Sequence, residues 1–72
     1  SNVQSFDMCG SFLWKSSEMG VTLLDTTTTE LWSYGYKDGI PGNKIYEVNC
    51  DEDWAWFLTN KGMAFYNWSK YH

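Results

Sequence analysis

Apolar residues along this chain come in short runs, several of them alternating with polar residues, and each run ends at a cluster of turn-formers. Residues 3–8 alternate Val3, Phe6 and Met8 with polar neighbours, in imperfect phase, and Gly10-Ser11 turns the chain. Residues 12–16 and 21–25 follow as strands, joined by Glu18-Met19-Gly20, a tight connection in which glycine suits positive φ. The threonines at 26–29 suit extended backbone, either prolonging a strand or crossing an outer loop. Residues 31–36 place Trp32, Tyr34 and Tyr36 on one face by period two. Residues 37–43 are the strongest breaker, with Pro41 fixing φ among several turn-formers. Beyond it, residues 45–50, 54–58 and 62–67 read as strands. Residues 68–72 read as the start of a connection toward a further strand. No stretch has a helical stripe, and Gly35 with the threonine run argues against a helix over 30–34. The pattern predicts an all-β chain of seven strands.

The same pattern recurs without a gap 42 residues later, so that residues 3–30 lie over 45–72. Phe12-Leu13-Trp14 falls on Trp54-Ala55-Trp56, Ser17 on Thr59, Gly20 on Gly62, Leu23-Leu24 on Phe65-Tyr66 and Asp25 on Asn67. A period near 40 built of short strands is the signature of a β-propeller blade. The expected architecture is therefore two antiparallel four-stranded blades, residues 3–36 and 44–72, linked by 37–43. The second lacks the outer strand equivalent to 31–36. Ser1-Asn2 are set aside as residues that cloning can leave at an N-terminus.

Three segments carry a family likeness. One is Asp51-Glu52-Asp53-Trp54-Ala55-Trp56-Phe57-Leu58-Thr59-Asn60-Lys61-Gly62 with the aromatic strand after it; the second is Asp38-Gly39-Ile40-Pro41-Gly42-Asn43; the third is Leu31-Trp32-Ser33-Tyr34. Together they resemble the β-propeller repeats of bacterial two-component-regulator-type sensor proteins, with Lys15, Ser16 and Glu18 departing from the family's usual run. Complete rings in that family have six or more blades, so the resemblance implies a piece of a propeller. It also implies extracytoplasmic sensing by a parent protein, while the chain's own compartment stays unassigned.

A blade in a ring packs both broad faces, and an isolated pair leaves two uncovered. Repeat architectures generally need about three units before burial outweighs chain entropy. Interface roles therefore fall on Trp14, Phe65 and Tyr66, with the edge at 62–67 left open for pairing. The expected partners are other copies of this chain or the remaining blades of a parent propeller. The expected function is a non-enzymatic interaction or sensor scaffold. The alternative is a lectin-like module in which Trp32, Trp54 and Trp56 stack on a sugar between blades.

Composition narrows the chemistry. The net charge is −4 with only five Lys and Arg, so no basic stripe exists for nucleic acid. No apolar run approaches the roughly 20 residues of a membrane span. The single histidine, His72, is terminal and ill-suited to serve as a held catalytic base. Asp51, Glu52 and Asp53 read as a solvated turn rather than a Ca²⁺ loop. No catalytic residue, metal site or cofactor is expected. Under the 42-residue offset Cys9 and Cys50 are out of phase, which predicts two reduced thiols.

Overall fold

The computed structural model describes residues 4–42 and 44–72. Ser1, Asn2, Val3 and Asn43, and with them the expected start of the first strand and end of the link, lie outside the described residues. Seven strands form two antiparallel meanders. The first sheet has the order β1 (Phe6–Cys9), β2 (Phe12–Ser17), β3 (Gly20–Asp25), β4 (Leu31–Gly35), and the second β5 (Ile45–Cys50), β6 (Ala55–Thr59), β7 (Gly62–Tyr66). Among the described residues there is no α-helix, only two single 3₁₀ turns at Tyr36–Asp38 and Trp68–Lys70.

Local chemistry explains the strand ends. The Asp38 carboxylate accepts the Gly35 N–H at 2.9 Å and winds the chain after Gly35. Tyr36 thus leaves β4 instead of extending its aromatic face. The threonine run is a turn, not strand: Asp25 Oδ1 accepts the N–H and hydroxyl of Thr27 at 2.9 and 2.7 Å. These are the local bonds with which Asp competes against a ladder. Gly20 is required by a close approach more than by its turn, since a Cβ there would strike the Tyr34 carbonyl on β4. Gly42 likewise lets the link pass against Thr59 and Asn60.

The registers decide which side chains meet. Across the first sheet Phe12, Trp14, Val21, Leu23, Trp32 and Tyr34 share one face. Across the second, Val48, Cys50, Ala55, Phe57, Ala64 and Tyr66 share one. These two faces meet, with Trp14 fully buried at the centre, 5.4 Å from the Phe57 ring and 6.1 Å from that of Tyr66. Ile40 from the link and Trp68 from the last turn complete the core. At the inner edge, side chains in and just before β1 satisfy β5 backbone. Val48 N–H donates to Ser5 Oγ at 3.1 Å and Cys50 N–H to Asp7 Oδ2 at 2.9 Å. An edge strand that would otherwise present unpaired N–H groups is thereby covered.

One further expectation is corrected here. Cys9 and Cys50 are not free thiols but a disulfide, with Cα atoms 6.2 Å apart. Opposite phase disfavours pairing only between residues that project from the same side. Here the inward face of the first sheet and the inward face of the second are opposite faces of the repeating pattern, so residues out of phase are the ones that meet. Within residues 68–72, Trp68–Lys70 wind into a 3₁₀ turn packed on the core. Trp68 folds under the core, its ring 5.0 Å from Phe12 and its indole N–H donating to the Asp51 carbonyl at 3.0 Å.

Candidate interaction faces

The sides of the sheets turned away from each other carry ordered rows of side chains. On the first sheet the ladder aligns Met8, Leu13, Leu24 and Leu31 in one row across all four strands. Met8 and Leu31 are exposed, Leu13 and Leu24 half-buried. On the second sheet two rows, Asn49–Trp56–Phe65 and Glu47–Leu58–Met63, lie side by side. Phe65 is 66% exposed there, and Leu58 and Met63 are exposed as well. An outward sheet face in water ordinarily alternates to polar residues. An apolar row across the whole first sheet and an exposed apolar cluster on β6 and β7 of the second are the kind of patch that marks an interaction site.

The residues singled out from the sequence are distributed unevenly over these surfaces. Trp14 lies wholly inside the contact between the two sheets and Tyr66 is half-buried beside it, whereas Phe65 faces outward. Trp54, just before β6, is 44% exposed, and Trp56 is half-buried on the outward face. Trp32 points inward on the other sheet, edge-on to the His72 ring with centroids 4.4 Å apart. The three tryptophans considered for sugar stacking are therefore not gathered in one cleft. Two open cavities exist elsewhere. One of about 270 Å³ lies over Tyr34, Ile40, Phe57 and Tyr66, and one of about 540 Å³ lies over Phe12, Ser11, Glu52 and Trp68.

His72, set aside in the sequence as terminal, is held in place. Its Nε2 is hydrogen-bonded to the Tyr34 hydroxyl at 2.7 Å, and its ring packs against Trp32 and Phe12. Burial lowers its pKa below 6.5, with Glu30 acting weakly the other way. Burial, reinforced by the Tyr66 hydroxyl, raises that of Tyr34 well above the usual phenol range. Hydrogen bonds from Thr27 hold Asp25 below the ordinary carboxylate value, and backbone N–H groups of Trp54 and Asp53 do the same for Asp51. The acidic segment at 51–53 is thus a turn built on Asp51, whose Oδ1 accepts those two N–H groups at 2.7 and 2.9 Å.

The histidine gives a pH prediction. A folded pKa below the unfolded value of 6.5 means that the unfolded chain binds the proton first. The contribution of His72 is fully present above pH 6.5 and declines as pH falls below it. Urea midpoints should be level from pH 8 to 7 and begin to drop as pH falls below 6.5, ahead of the carboxylate range. His72→Phe should flatten that drop; an unchanged profile in the variant would show that His72 is not held in the fold.

Asp7, Cys9 and Cys50 bring donor atoms within 4.8 Å of one another. The two sulfurs are bonded to each other, so one carboxylate is the only ligand the group offers. No helix of the described residues is long and apolar enough to cross a membrane. No protein-family model, no curated protein and no solved structure matches the chain.

Proposed function

We propose that this chain is a non-enzymatic, propeller-type interaction segment that works by holding other polypeptide against its two outward sheet faces. The observation that carries the reading is the pair of apolar surfaces, the Met8–Leu13–Leu24–Leu31 row on one side and Trp56, Leu58, Met63 and Phe65 on the other. Each Å² of apolar surface covered contributes about 25 cal/mol, so burying such faces favours association. A sensor role within a longer propeller agrees with the resemblance of the sequence. So does the disulfide, which persists in oxidising compartments.

The three methionines provide the test. Met8 and Met63 lie on opposite outward faces with 49% and 48% exposure, while Met19, 72% exposed, sits in the β2–β3 turn away from both. Thioether oxidation follows accessibility. A brief peroxide pulse on the cells that naturally produce the chain, read by mass spectrometry, should oxidise Met19 and spare Met8 and Met63. In the purified, dilute chain all three should react at comparable rates. Equal oxidation of all three in the cell would contradict the reading.

A further inference from the structure

We infer that the polypeptide covering these faces is a second copy of this chain, docked head to tail, with the outward face of one copy's second sheet seated on the outward face of the next copy's first sheet. The inference rests on the interaction reading above and names its occupant. What carries it is the way the chain's own two sheets already meet.

The inward residues of the first sheet include Phe12, Trp14, Val21 and Leu23. The residues 42 positions later are Trp54, Trp56, Met63 and Phe65, the outward surface of the second sheet. Conversely, the inward residues Ala55, Phe57, Ala64 and Tyr66 correspond to Leu13, Lys15, Thr22 and Leu24, the outward surface of the first. Within the molecule, one face of the pattern packs against its opposite face. The two surfaces left open are a second instance of each half, on opposite sides of the same chain. Contact between unlike faces is heterologous, and each added copy leaves the same two faces open until a ring closes.

The polar details transfer as well. Ser5 and Asp7 cap the β5 N–H groups of Val48 and Cys50 inside the chain. Their counterparts are Glu47 and Asn49, both bearing acceptor oxygens on the open face, and the counterparts of Val48 and Cys50 are Phe6 and Met8 on the edge strand β1. The docked copy therefore supplies acceptors to β1 as β1 supplies them to β5. Trp14 meets Phe57 and Tyr66 inside, so Trp56 meets Lys15 and Leu24 of the next copy. A lysine ammonium against an indole face is an attractive contact, which gives Lys15 a role beside the apolar row. The disulfide does not transfer, because its counterpart is Asp51 with Met8, so the contact between copies is non-covalent.

The test uses two variants altered only at exposed positions, Phe65→Glu on the second sheet and the pair Met8→Glu with Lys15→Glu on the first. Each is checked for wild-type circular dichroism, with Met63→Gln and Lys15→Glu alone as milder replacements. Light scattering should give multiples of the chain mass for the wild type and a single-chain mass for each variant alone. An equimolar mixture of the two variants should give twice the chain mass, because each retains one good face and the two faces are complementary. Three results would overturn the inference: a single-chain mass for the wild type at every concentration, association by either variant alone, or a mixture that stays monomeric. If the wild type is monomeric while Met8 and Met63 are protected in the cell, the interaction reading stands and the second copy is the part that fails. If neither methionine is protected, both fail.

Discussion

Replacing Trp14 by alanine is expected to remove most of the stability of this chain. Trp14 is the largest fully buried side chain and its ring lies against those of Tyr34, Phe57, Tyr66 and Trp68. Truncations of this kind cost about 3–5 kcal/mol. A domain of this length has only about 4–11 kcal/mol in total, from the usual per-residue stability. The indole N–H has no hydrogen-bond partner among the described residues, and an unpaired buried donor costs roughly 1–3 kcal/mol. Trp14→Phe keeps ring contact and drops that donor, so its loss should be well below that of alanine. The telling comparison is Trp56→Ala. Trp56 occupies the same place in the 42-residue pattern but faces outward and is half-buried. In dilute urea titrations followed by circular dichroism it should lose about 1 kcal/mol or less, as partly exposed substitutions do. Equal losses at Trp14 and Trp56 would contradict the assignment of inward and outward faces.

Opening the disulfide is the second large effect. Cys9 and Cys50 are 41 residues apart in sequence, and their bond ties the two sheets together beside the Ser5 and Asp7 hydrogen bonds. Cross-linking a loop of that length restricts the unfolded chain by about 4 kcal/mol in the chain-entropy treatment. The Cys9→Ser, Cys50→Ser variant should show a much lower urea midpoint than the oxidised wild type, and reducing agent should lower the wild type to nearly the same value. The Asp7 hydrogen bond to the Cys50 N–H survives the change, so the sheets should still pair when folded. A midpoint indifferent to reductant would show that the sulfurs are not joined in solution.

Much of this architecture was legible in the sequence, for identifiable reasons. Runs such as Phe12-Leu13-Trp14 and Ala55-Trp56-Phe57-Leu58 combine strand-forming residues with flanking turn residues, and the β2–β3 and β6–β7 hairpins close at the same point of the pattern, Ser17 with Gly20 and Thr59 with Gly62. The offset of 42 located the equivalent strands. What it did not convey was which face of each sheet turns inward. Trp14 and Trp56 look alike in the sequence, yet one is the centre of the core and the other a surface residue, because only one has a sheet in front of it. The cysteine pairing is hidden for the same reason: phase along the pattern compares residues on one sheet face, and the Cys9–Cys50 bond joins two. Trp68 and His72 were illegible because they act at long range from a non-repetitive turn. Trp68 reaches Asp51 and Phe12, and His72 reaches Tyr34, through contacts that no local period encodes.

The central claim is that one face of each sheet remains uncovered in the single chain and is covered by another copy. The most direct measurement is the absolute mass in solution by light scattering over a wide dilution series, with the disulfide intact. The account predicts a discrete multiple of the chain mass at high concentration that falls toward one chain on dilution. One chain at every concentration, stably folded and soluble, would contradict it.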